Sequence, residues 1–148
     1  MAGSFQKDTV QMKITKALNR EPSQLTYLLL QGRNPEDPIF EPRGSPFQGQ
    51  LGHEDIVDRL PAGTIRLALS EKVQNQAFTC AGKPIYCTQF HPELECNNRI
   101  QRLAVYPSYL EKIMDWSTEE FRQHCHDTPE TLLFLPCFAN HLSQHTTL

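Results

Sequence analysis

The sequence predicts a single α/β domain with strands first and helices last. Three observations lead there. From residue 47 onward apolar and polar residues alternate, the period of a half-buried strand. Two of the alternating runs are separated only by Ala81-Gly82-Lys83, which is a hairpin signal. Beyond Ile100 the apolar spacing becomes helical. The 148 residues suffice for one core, since a chain of this size buries roughly two-thirds of its unfolded surface.

The elements follow in order. Val10-Gln11-Met12-Lys13-Ile14 alternates like a short strand, yet Thr15-Lys16-Ala17-Leu18 equally continues a helix, so residues 1–22 stay unassigned. Gln24 to Gln31 holds Leu25, Tyr27, Leu28, Leu29 and Leu30 between Pro22 and Gly32, a short apolar run that reads as a largely buried strand. Pro35, Pro38, Pro42, Pro46, Gly44 and Gly49 then mark a loop-rich stretch, because proline lacks a ladder donor and glycine tolerates turns. Phe47–Leu51, Thr64–Leu69, Asn75–Cys80 and Pro84–Phe90 are the alternating strands. Ile100, Leu103, Ala104, Tyr109, Leu110, Ile113 and Met114 fit a helical period broken at Pro107. Ser117-Thr118-Glu119-Glu120 opens a further helix with a hydroxyl N-cap and early acids that suit the helix dipole. Thr128-Pro129-Glu130 repeats the device and starts a helix whose core face is expected to be Leu132, Leu133, Leu135, Phe138 and Leu142.

Composition excludes several classes of function. The net charge is −3 without a basic cluster, which argues against nucleic acid as a partner. No run approaches the roughly 18 apolar residues of a membrane span, and no signal peptide is visible after Met1. Cys80, Cys87, Cys96, Cys125 and Cys137 are odd in number and irregularly spaced, unlike a secreted disulfide scaffold; reduced thiols and a cytoplasmic location are expected. Zinc is the rival chemistry, with Cys87, His91, Cys96 and His124-Cys125-His126 as ligands. No Cys-x-x-Cys knuckle is present, and helical neighbours one and two apart do not face each other, so no metal is expected.

The densest chemistry lies in Gln89-Phe90-His91-Pro92-Glu93-Leu94. Pro92 disfavours the helical region for His91 and holds it extended at a strand end. Two residues apart on an extended chain, His91 and Glu93 share a side. A carboxylate there fixes one imidazole nitrogen and leaves the other free as a base, two-thirds of a nucleophile–His–carboxylate triad.

Gln89-Phe90-His91-Pro92-Glu93 resembles the signature of class I (triad-type) glutamine amidotransferases, in their guanosine monophosphate synthase-like branch. Gly52-His53-Glu54-Asp55-Ile56-Val57, Leu60-Pro61-Ala62-Gly63, Leu67-Ala68-Leu69-Ser70 and Gln76-Ala77-Phe78 precede it in the family's order, so the resemblance covers residues 25–95. It implies a partial flavodoxin-like glutaminase domain, truncated to its C-terminal portion, with a mixed sheet, a β-hairpin and a helical tail. The family's sheet is mostly parallel and its site lies at the strand ends. The family reaction, hydrolysis of the glutamine side-chain amide, uses no cofactor. The resemblance also implies roles: His91 as general base, Glu93 as the carboxylate orienting it, and Gly52, His53, Glu54 and Asp55 as a loop whose backbone holds the amino-acid end of glutamine.

One part of the family pattern is not met. The nucleophile belongs in a Gly-x-Cys-x-Gly turn before a helix whose N-terminus stabilises the thiolate. No such turn occurs, and Thr79-Cys80-Ala81-Gly82 falls in the hairpin instead. The chain is therefore expected not to hydrolyse glutamine by itself. The alternative is a non-catalytic remnant that binds glutamine or a partner protein: a synthase, the missing half of the domain, or a second copy, since unpaired strands invite association. A gene product without function is a third outcome.

Overall fold

The structure, a computed structural model, describes residues 13–16, 25–30, 37–40, 46–52, 55–106, 108 and 116–145. Its strands are β1 (Lys13–Lys16), β2 (Leu25–Leu30), β3 (Phe47–Gln50), β4 (Asp55–Arg59), β5 (Thr64–Leu69), β6 (Ala77–Cys80) and β7 (Tyr86–Thr88). The helices are α1 (Cys96–Val105), α2 (Thr118–His124), α3 (Pro129–Leu132) and α4 (Phe134–His145). Five strands form a sheet of order β3-β2-β5-β6-β7, and β1 pairs with β4 as a separate ribbon. Among the described residues no helix is long and apolar enough to cross a membrane.

Every strand pair among the described residues is antiparallel, so the parallel ladder implied by the family's sheet is not seen there. The connections account for this. Residues 70–76 and 81–85 join β5 to β6 and β6 to β7, too short for a crossover of about a dozen residues. In the second connection Lys83 N–H returns to the Cys80 carbonyl at 3.1 Å, and Gly82 takes φ +70°, a region glycine enters without a Cβ clash.

Two elements depart from expectation. Asp55, expected in a loop, is the first residue of β4, which pairs with β1 in the register Lys16↔Asp55 to Lys13↔Arg59. The helix expected from Thr128 is broken in two at Leu133. A continuous helix would need a hydrogen bond from residue 136 to the carbonyl of Leu132, and Pro136 has no N–H to give. Restarting at Phe134 puts Pro136 in the first turn of α4, where N–H groups lack helical partners anyway. The restart also rotates the buried face: Leu133 and Leu135 are about half exposed, while Phe134 is buried and Cys137 and Phe138 pack beside it.

Phe134 sits at the centre of the core, with ring centroids 4.6 Å from Phe40, 5.7 Å from Phe47 and 5.5 Å from Phe90. Ile39, Leu51, Leu67, Ala68 and Ala77 complete it. A smaller cluster joins Leu103 of α1 to Phe121 of α2. Helix α1 ends just before Pro107, where the sequence places a break, and the apolar residues from Tyr109 to Met114 lie outside the described residues. The expected cap of α2 forms in full: Ser117 Oγ accepts from Glu120 N–H at 3.2 Å, and the Glu120 carboxylate accepts from Ser117 N–H at 2.8 Å.

Candidate functional site

The segment after β7 alternates between inward and outward residues. Phe90, Pro92 and Leu94 are buried, whereas the His91 and Glu93 side chains keep 37% and 42% of their surface exposed. Phe90 anchors the segment in the core, 5.8 Å from Phe47. His91 N–H donates to the Gln50 carbonyl at 2.8 Å, which joins the segment to the end of β3. The chain then turns, with Leu94 N–H reaching the His91 carbonyl at 3.4 Å. His91 and Glu93 thus meet across a turn rather than along a strand, and the expected pair forms: Nδ1 lies 2.9 Å from Oε1.

Electrostatics favour the charged carboxylate. Burial alone would raise the Glu93 pKa. Hydrogen bonds from its own backbone N–H and from His91, together with the charges of His91 and Arg102, outweigh burial and hold it below the ordinary glutamate value. With Nδ1–H given to Glu93, the neutral ring presents Nε2 as its bare nitrogen. That nitrogen faces Gly52: a methyl group there would lie 3.3 Å from Nε2. Beside it opens a cavity of about 480 Å³, bordered by Leu51, Gly52, His91, Arg99, Arg102 and Tyr106.

Of the loop expected to hold glutamine, Gly52 lies beside the imidazole, and His53 and Glu54 lie outside the described residues. Asp55 is linked through Gln89, whose side chain donates to the Asp55 carbonyl at 3.3 Å and accepts from Val57 N–H at 2.9 Å. Asn75 repeats this device, donating to the Val57 and Asp58 carbonyls at 2.7 and 3.2 Å. Two side-chain amides therefore dock β4 beside the signature. Gln89 was visible in the sequence only as part of the signature, and Asn75 gave no signal.

No cysteine borders the cavity among the described residues. Burial and the neighbouring Cys80 push the Cys87 thiol up, away from the thiolate a nucleophile needs. Cys125 is raised to about 12 by burial and by its hydrogen bond to the Cys96 carbonyl. His124-Cys125-His126 is not a helical run, since α2 ends at His124; the His124 ring lies tilted 4.9 Å from Trp116, and the Cys125 thiol donates to the Cys96 carbonyl. Among the described residues no three His, Cys, Asp or Glu side chains converge as a metal site would require.

Arg99 was missed by the sequence. It is 4% exposed and donates to Gln50 Oε1 and to the Leu51 carbonyl. An arginine four residues into a helix reads as solvated surface, and nothing local marks it as buried.

Comparison with known proteins bears on the family and the fold. The family model for glutamine amidotransferase class-I matches residues 4–104. A GMP synthase [glutamine-hydrolyzing] of Christiangramia forsetii is 36% identical over 58 residues, 39% of this chain and 11% of the relative. A GMP synthase [glutamine-hydrolyzing] of Thermosipho melanesiensis is 37% identical over 59 residues, 40% of this chain and 12% of the relative. Among solved structures, a glutamine amidotransferase from Thermotoga maritima superposes with a TM-score of 0.70 at 18% identity, covering 88% of this chain and 54% of that one. A glutamine amido transferase from Methylobacillus flagellatus gives 0.58 at 13% identity, covering 86% and 51%. These likenesses show the shared α/β fold. The chain spans about half the length of the solved relatives and about an eighth of the synthases.

Proposed function

Because this chain belongs to the class I glutamine amidotransferase family, we propose that it carries the proton-handling part of a glutaminase site. His91 is the general base and Glu93 the carboxylate that orients it. The observation that carries this is the His91–Glu93 contact of 2.9 Å, with Nε2 left facing Gly52 and the cavity. In the reaction, Nε2 takes the proton of a cysteine thiol and the thiolate attacks the side-chain amide carbon of glutamine. Collapse of the tetrahedral intermediate expels ammonia, which leaves with the proton from the imidazolium. Water, activated by the same nitrogen, then cleaves the thioester to glutamate. Glu93 remains ionised throughout and stabilises the imidazolium. Gly52, His53, Glu54 and Asp55 hold the amino-acid end of glutamine, and the ammonia goes to a synthase, as the relatives' name suggests.

The nucleophile is not among the five cysteines, since none lies in the turn the chemistry needs. The purified chain is therefore expected to release no ammonia from glutamine. A coupled glutamate dehydrogenase assay checks this; release that survives purification and disappears with His91→Ala would overturn it.

A second reading has its own observation. Tyr106, 67% exposed, forms an apolar rim of the same cavity. A non-catalytic chain would use that rim to bind glutamine, a partner protein or a second copy. Calorimetry with glutamine and sedimentation over a concentration series separate this from the first: binding or association without ammonia release, unaffected by His91→Ala, favours it.

A further inference from the structure

We infer that Arg99 is a positioning residue for His91, holding by one buried guanidinium the two neighbours that fix the imidazole besides Glu93. The inference rests on the reading of His91 as the base. A charge at 4% exposure is costly unless hydrogen-bonded, so its partners reveal what the burial secures. Arg99 donates to Gln50 Oε1 and to the carbonyl of Leu51, with its guanidinium carbon 5.3 Å from the centre of the Phe121 ring. Those acceptors are successive residues at the end of β3, and both lead to His91. The Gln50 carbonyl accepts the His91 N–H at 2.8 Å, and Leu51 precedes Gly52, the residue lying against Nε2. Gln50 itself is wholly buried, and its amide nitrogen donates onward to the His126 carbonyl. The guanidinium thus ties α1, the end of β3 and the segment after α2 to the backbone under the imidazole.

Arginine rather than lysine is needed because two acceptors at different points must be met at once by a planar fork. Arg99 acts through Gln50 and Leu51.

The test reads the His91 ring and amide by ¹⁵N nuclear magnetic resonance in the whole chain. The native chain should show one neutral tautomer, with Nδ1 protonated, and a slowly exchanging His91 amide. Arg99→Lys keeps the charge and loses the fork. It is expected to give a mixture of tautomers and to speed His91 amide exchange about tenfold or more, the effect of losing a hydrogen bond to a charged group. Glu93→Leu is the control, expected to disturb the tautomer by removing the acceptor of Nδ1–H while the His91 amide stays protected. A Glu93→Leu chain with an unchanged tautomer would sink the reading of the pair itself. If Glu93→Leu shifts the ring but a folded Arg99→Lys leaves ring and amide as in the native chain, the role of Arg99 is overturned. Should Arg99→Lys fail to fold, Gln50→Leu carries the test, because it deletes the shared amide and leaves the Leu51 carbonyl. Unchanged His91 signals in that variant would equally overturn the inference.

Discussion

Glu93 does two things at the level of the single residue: it fixes the imidazole and, as a carboxylate held below its ordinary pKa, it couples the turn to pH. The sign follows from that depression. The stabilisation is complete above the unfolded glutamate value of about 4.3 and disappears as pH falls through the lower folded value. The group is well exposed, so the effect is small. Melting temperatures of the native chain and Glu93→Gln should therefore differ at pH 7 and converge as pH falls through that lower folded value. Gly52→Ala is a sharper probe. Its methyl would lie 3.3 Å from Nε2, so the ring must yield by a few tenths of an ångström. We expect a shifted His91 ring resonance with little change in melting temperature; an unmoved resonance would mean the ring does not rest on Gly52. His91 and Glu93 were legible because only Pro92 separates them and their neighbours are apolar. The contacts of Arg99 were not, because they join residues 49 and 48 positions apart, and no local pattern encodes such a meeting.

Elements were legible where the backbone rule is local. The cap of α2 needs only Ser117 and Glu120, three residues apart, and the hairpin needs only its Gly82 turn. The face of α4 escaped because the apolar period was counted from Thr128, whereas Pro136 resets the count at Phe134. The new face makes a clear prediction. Phe134→Ala should cost about 3–5 kcal/mol, as removal of a buried aromatic ring does. Leu135→Ala, nearly half exposed, should stay within about 0.5 kcal/mol. Urea unfolding of both variants checks this, and comparable losses would contradict the rotated face. Strand β4 escaped for another reason. Its partner β1 comes from the segment whose pattern fitted strand and helix alike, and pairing, not propensity, decided between them.

At the scale of the whole molecule, strands β3 and β7 form opposite edges of the five-stranded sheet, and the His91–Gln50 bond links the ends of both. The site therefore depends on the sheet as a unit. The β1–β4 ribbon does not share that security. A two-stranded ladder is marginal in isolation, and the side-chain amides of Gln89 and Asn75 dock this one. Hydrogen exchange should release the β4 amides before those of β5 and β6, and in Asn75→Ala earlier still. Equal protection across both sheets would show that the ribbon opens only with the whole. The α/β class and the strands-first order were legible because they rest on period alone; the division into two sheets was not, because it rests on which distant strands meet.

The alternation after β7, with Phe90, Pro92 and Leu94 inward and His91 and Glu93 outward, lets the molecule keep a record of its own use. Packing alone would preserve the inward three in any lineage that must still fold. The outward two contribute little to folding, so mutational drift would erase them within a lineage released from chemistry. A screen for folding alone should therefore tolerate substitutions at His91 and Glu93 and reject polar ones at Phe90 and Leu94.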